Sequence, residues 1–173
     1  VTLLYSFLAP LHKNLIYYIP DRYKEGYGIS YQGIEFSKQQ NVNLIITVDC
    51  GITADAQIKM AQYSGIDCIV CDHHLPSEIL PEAYAILDPK QANCEYPYKE
   101  LSGCGVAFKL AQAINEKLER PFSYCEELLD LVAISTAADI VEMRGENRVL
   151  VHFGLKRLNQ GKRLGLNRLI ENS

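Results

Sequence analysis

The chain has 173 residues, of which 48% are hydrophobic and 22% charged. That size suits one domain or one and a half with a core of its own, and no apolar run reaches the roughly 18 residues of a membrane span. The formal net charge of −4 argues against a nucleic-acid binder, but with limited force, because a metal site concentrates carboxylates and a bound cation inverts the local field.

The start, Val1-Thr2-Leu3-Leu4, has no initiator Met, no basic n-region and no cleavage site; it reads as the middle of a helix in a domain fragment. Residues 2–11 are apolar and helical in character. Leu15 to Ile19 is a short β-rich run ended by Pro20, and Asp21 to Gly28 is a loop rich in Gly and Tyr. Ile29 to Gln40 reads as a helix. Leu44 to Val48 is a continuous apolar strand that stops at Asp49-Cys50-Gly51. Thr53 is the expected N-cap of a helix running to Tyr63 and ended by Gly65. Ile66 to Cys71 is a second strand, stopping at Asp72-His73-His74, and Ala85 to Leu87 a short third, before Asp88-Pro89. From Gly103 the character changes, with helices expected over 106–118, 125–138, 146–159 and 166–170. The strand–helix alternation predicts an α/β fold: a mostly parallel sheet flanked by helices over residues 1–100, then a helical continuation over 101–173. The strands are apolar runs rather than alternations, which predicts burial on both faces.

Six cysteines are present, at 50, 68, 71, 94, 104 and 125. In a chain this long, with several of them in apolar runs, reduced and buried thiols are expected, in keeping with a cytoplasmic protein. Cys68-Ile69-Val70-Cys71 has the form CxxC, but on a strand positions three apart face opposite sides, and no second pair completes a zinc site.

The chemistry gathers where the strands end. Open parallel sheets bind ligands outside the carboxyl ends of their strands. Two consecutive strands finish there in polar residues, one in Asp49-Cys50-Gly51 and the next in Asp72-His73-His74. Carboxylate plus imidazole is a ligand set for Mn²⁺, Zn²⁺ or Fe²⁺. Each piece has a plain alternative: Asp49 as a helix cap, Asp72 as a turn acceptor, the two histidines as solvated loop residues. The combination after two buried strands has no packing reason to be Asp and His. Further on, Ser102-Gly103-Cys104-Gly105 opens a helix and offers a phosphate seat at its N-terminus, or simply a tight turn with a Ser cap. Asp139 follows a run of small residues that permits close packing, and it could equally just end its helix. Arg148, early in the next helix, has a guanidinium fork suited to phosphate, or is a surface arginine.

DHH at 72–74, VDCG at 48–51, LSGCGVAFK at 101–109 and ADIVEMRGENR at 138–148 together resemble the DHH phosphoesterase family. Tyr18 to Gly28 (YIPDRYKEGYG), with SGCGVAFK and GENR, is most similar to its RecJ-type branch. The resemblance covers essentially the whole chain. It implies a nuclease that degrades single-stranded DNA from the 5′ end with Mn²⁺ or Mg²⁺, in recombination and repair. It implies two metals in the intact protein. Asp49, His73 and Asp139 would be metal ligands, Asp72 and His74 catalytic, with Asp72 orienting the histidine pair. Ser102, Gly103, Gly105, Arg22 and Arg148 would contact phosphate or DNA. The family's first Asp-x-Asp-Gly motif and its C-terminal substrate-binding domain have no counterpart within the 173 residues. Hydrolysis of a small phosphorylated substrate, or a binding module with a vestigial site, are the alternative expectations; protein partners are not indicated by any motif.

Overall fold

The computed structural model describes residues 1–172. In chain order its elements are α1 (Thr2–Leu8), α2 (Tyr31–Gln39), β1 (Leu44–Val48), α3 (Asp55–Tyr63), β2 (Asp67–Cys71), β3 (Ala85–Leu87), α4 (Gly103–Lys117), α5 (Ser123–Glu126), α6 (Leu129–Ala138), α7 (Gly145–Leu158) and α8 (Leu164–Glu171). They divide into two compact units. One comprises residues 14–99 with Val1; the other comprises residues 2–13 and those from Glu100 onward.

The first unit is α/β. Its three strands form a parallel sheet in the order β1-β2-β3. The register aligns Val48 with Cys71 and Cys71 with Leu87. The residues that follow the three strands, Asp49, Asp72 and Asp88, therefore share one row at the carboxyl rim. Two backbone bonds extend the ladder into that row: Asp49 N–H donates to the Cys71 carbonyl (2.8 Å) and Asp72 N–H to the Leu87 carbonyl (3.0 Å). Behind the rim, Ile34 of α2, Ile58 and Ala61 of α3, Ile66, and Cys68 and Val70 of β2 make the buried core. Each large aliphatic side chain buried this way contributes about 1.5–3 kcal/mol.

Several expectations for this unit differ from what forms. Residues 15–19 form no strand. Tyr18 instead sets its ring 5.1 Å from that of Phe36 and donates its hydroxyl to Glu25 (2.7 Å), while Ile16, Tyr17 and Ile19 stay exposed. Thr53 is not the cap of α3; Ala54 is, without a side-chain bond. The preceding loop is claimed elsewhere, since the Ile52 N–H donates to Asp72 (3.0 Å), which moves the helix start along the chain. The strands are not buried on both faces throughout: β1 is a sheet edge with Leu44 exposed, and only Thr47 in it is buried.

The second unit is helical, with α1 packed on α4 and α6, and α6 lying against α7. Ser102 caps α4, accepting from the Gly105 N–H (3.1 Å). The same hydroxyl pairs with that of Thr136 at 2.8 Å, both fully buried. Ser102→Ala removes a cap and strands the Thr136 hydroxyl, so urea unfolding is expected to show a loss of about 1–3 kcal/mol. The helix expected over 125–138 is broken at Glu127 and Leu128 into α5 and α6. The apolar stripe Cys125, Leu128, Leu129 and Val132 stays buried across the break, which is why periodicity alone does not register it. No helix among the described residues is long and apolar enough to cross a membrane.

Candidate metal centre

Asp49 stands first in the rim row. Its φ of +64° is left-handed, a conformation that strains most residues and that Asp and Asn tolerate best. Gly51, at φ +114°, completes the reversal; a Cβ there would lie 2.8 Å from Thr47 Oγ1. Thr47 donates its hydroxyl to the Cys50 carbonyl (2.7 Å), and Tyr27 donates its own to the Asp49 carbonyl (2.9 Å). The turn is thus held from both sides. It presents the Asp49 carboxylate outward, with about half its side chain exposed.

Asp72 is the organiser. It is 1% exposed, and its two oxygens are engaged. One accepts from Ile52 N–H. The other accepts from His73 N–H (2.8 Å) and faces His74 Nδ1 at 2.6 Å. A carboxylate only accepts, so the proton of that last pair sits on His74 Nδ1 and Nε2 is left bare to act as a ligand or acceptor. His73 is buried, with Nε2 3.1 Å from Asp49 Oδ1. One donor atom from each of Asp49, His73 and His74 lies within 4.8 Å of the others. Metal–ligand bonds of about 2.0–2.2 Å place neighbouring donors about 3 Å apart. The Asp49–His73 separation therefore already suits adjacent positions around one cation, and the oxygen and nitrogen set suits Mn²⁺.

Asp88, the third member of the row, escaped the sequence reading. It is 2% exposed; Oδ1 accepts from Lys90 N–H (2.8 Å) and Oδ2 is buried without a hydrogen-bond partner. Burial pushes its carboxyl above the usual range, and the nearby Asp72 charge adds to the rise. The signal was present, since Asp88 follows a strand as Asp49 and Asp72 do. A three-residue strand is a weak marker, however.

The loop before α2 is fixed by Glu25, which accepts from Tyr18, Ser30 (2.6 Å) and the Asp21 N–H (2.8 Å). The Ser30 bond, then that of Tyr18, holds its carboxyl below the usual range. This carries Arg22, whose guanidinium sits 5.1 Å from the centre of the Tyr27 ring, while Tyr27 meets His74 edge-on at 6.1 Å. Arg22 is exposed and borders the Asp49, His73 and His74 cluster through Tyr27. The cysteines take no part. All six are free thiols. Burial pushes Cys50 and Cys68 up to about 11 and Cys71 to about 12, so these thiols stay protonated with no metal bound.

The remaining candidates lie in the second unit. Ser102, Gly103 and Gly105 are buried, and the Ser102 hydroxyl is fully engaged by the cap and Thr136. The side chains of α4's first turn thus serve packing. Asp139 is the C-cap of α6, accepting from the Ile140 N–H (2.9 Å). Arg148 is exposed on α7; its neighbour Asn147 is fully buried and donates to the Glu100 and Glu142 carbonyls. Lys109 pairs with Glu146.

Comparison with known proteins shows the family. The single-stranded-DNA-specific exonuclease RecJ of Bacillus subtilis (strain 168) is 48% identical over 164 residues, 95% of this chain and 20% of the relative. RecJ of Escherichia coli (strain K12) is 40% identical over 168 residues, 91% of this chain and 29% of the relative. The chain thus spans well under a third of these relatives. A crystal structure of exonuclease RecJ bound to manganese superposes with a TM-score of 0.86 at 34% identity, covering 98% of this chain and 43% of that one. RecJ from Thermus thermophilus in complex with Mn²⁺ gives 0.80 at 31%, covering 98% and 24%. The family model described as the DHH family, N-terminal domain, matches residues 1–136. With its eponymous Asp72-His73-His74 built into the rim of a parallel sheet and most of its length matched, the chain belongs to the DHH family.

Proposed function

We propose that the chain is part of a metal-dependent nuclease that removes nucleotides from the 5′ end of single-stranded DNA, acting in recombination and repair in the cytoplasm. The observation that carries this reading is the convergence of Asp49, His73 and His74 donor atoms within 4.8 Å at the sheet rim. The single-strand substrate and the 5′ polarity rest on the likeness to RecJ proteins.

Asp49 and His73 hold a Mn²⁺ or Mg²⁺ ion, and Asp139, from its motif, is assigned as a further carboxylate ligand. Bound metal supplies Lewis acidity toward the phosphoryl group and lowers the pKa of water. The protein's own residues then do three things. Asp72, locked by the backbone N–H groups of residues 52 and 73, fixes the ring of His74. His74, held through Nδ1 by Asp72, directs Nε2 toward the reacting phosphate. Arg22, pre-set against Tyr27, grips a backbone phosphate of the incoming strand, as does the exposed Arg148. Ser102, Gly103 and Gly105 support the same path by fixing the first turn of α4.

The test is digestion by the full-length protein, with Mn²⁺, of long 5′-ended single strands beside pyrophosphate, a cyclic dinucleotide and a short oligonucleotide. Mononucleotide release from the long strands is the expected result. Brisk turnover of a small substrate with the long strands untouched would overturn the exonuclease reading in favour of a small-substrate hydrolase; no turnover of any would favour a binding module.

A further inference from the structure

We propose that the second unit carries a phosphate-binding cavity whose principal donors are Arg120 and Lys162. The cavity encloses about 450 Å³ and is lined wholly by residues of that unit, a volume within the range of small-molecule sites. Four cationic side chains line it, Arg120, Arg157, Lys162 and Arg163, against two carboxylates, Glu127 and Asp130. Two positive charges are therefore left over.

The carboxylates are taken by two of the four. Arg163 forms a fork on Asp130, Nε to Oδ2 at 2.8 Å and Nη2 to Oδ1 at 3.1 Å, and Asp130 is buried. Arg157 pairs with Glu127 at 3.3 Å. Arg120 and Lys162 have no carboxylate partner among the described residues. Arg120 Nη1 is, in addition, shut from solvent without a hydrogen-bond partner. A guanidinium N–H in that position costs free energy until an acceptor reaches it.

Arg120 is also built to stay in place. Its guanidinium carbon lies 3.7 Å from the centre of the Tyr124 ring and 6.0 Å from that of Phe7. Stacking occupies a π-face and leaves the in-plane N–H edge for a ligand. The backbone is clamped by Asn115, whose carbonyl accepts from the Arg120 N–H (3.0 Å) and whose Nδ2 donates to the Arg120 carbonyl (2.9 Å). A donor whose position is set before binding loses less entropy on binding. A planar fork, a flexible ammonium and two surplus charges match a phosphate group, which carries about −1.5 to −2 at neutral pH and offers three acceptor oxygens. A carboxylate would satisfy the fork and leave a charge over.

This inference does not depend on the nuclease reading, and its test removes the metal. In EDTA, isothermal titration of the chain is run with inorganic phosphate, with deoxythymidine monophosphate, and with an oligothymidylate lacking a terminal phosphate. Saturable binding of at least one of the three is expected. It should weaken at least about tenfold in Arg120→Gln and in Lys162→Gln, with Arg120→Lys intermediate. Lys162 is exposed, so its variant keeps the fold even if Arg120→Gln does not, as circular dichroism will tell. Loss confined to the first two ligands identifies a free or terminal phosphate as the occupant; loss for the oligothymidylate identifies the strand backbone. Affinity unchanged in both charge-removing variants, or no saturable binding of any of the three by the parent chain, would overturn the proposal.

Discussion

On the proposed function, the Asp49→Asn variant of the full-length protein is expected to digest single-stranded DNA about a thousandfold more slowly than the parent while folding normally. Asn is chosen over Ala because position 49 has a φ of +64°, and Asn accepts left-handed backbone nearly as well as Asp. What is lost is the negative donor atom 3.1 Å from His73 Nε2. Removing a principal stabiliser of transition-state charge costs about 10²–10³ in rate, and a metal ligand at least as much. Mn²⁺ titrated by electron paramagnetic resonance should bind more weakly in parallel. His73→Ala is expected to act the same way, with an added stability loss of about 1–3 kcal/mol because the imidazole is buried. Rates within tenfold of the parent in both variants would mean that the cluster at the sheet rim is not the reaction centre.

The largest expected stability effect lies far from this chemistry in sequence. Gly154 of α7 is buried where α7 meets α6. A Cβ at this position collides with the Leu129 carbonyl oxygen and lies 2.6 Å from Ala133 Cβ. The obstruction is backbone, so relief requires moving one helix off the other. Gly154→Ala gains about 1 kcal/mol of helix propensity, whereas forced overpacking costs about 1–3 kcal/mol and more when the main chain must shift. The second effect wins. Gly154→Ala should lose about 2 kcal/mol by urea denaturation and Gly154→Val more, approaching the whole of a typical domain stability of about 5–15 kcal/mol. An alanine variant as stable as the parent would show that the two helices have room for a side chain between them.

Asp72 illustrates how the acidic balance of the chain is compatible with the proposed nucleic-acid substrate. Its charge is closed off from solvent by three backbone donors and the His74 ring, while Asp49 faces outward beside His73 and His74. On the proposed function the outward carboxylate at the rim holds a cation, and the exposed Arg22 and Arg148 are the proposed phosphate contacts. Net charge summed over the chain does not distinguish these fates.

The sequence by itself determined the strands at 44–48 and 67–71, the Asp-x-Gly and Asp-His-His endings that follow them, and hence the side chains of the candidate metal cluster. Continuous apolar runs and the residues that break them are local signals, and the rim of a parallel sheet follows from them. Only the tertiary structure decided which polar groups are free. It placed Asp88 in the same row through strand register, enclosed Asp72 rather than exposing it, tied up the Ser102 hydroxyl with Thr136, and left Leu15 to Ile19 without a partner strand. It also joined α1 to helices some hundred residues later. Strand register, burial and hydrogen-bond saturation depend on residues distant in the chain, and no local window of sequence contains them.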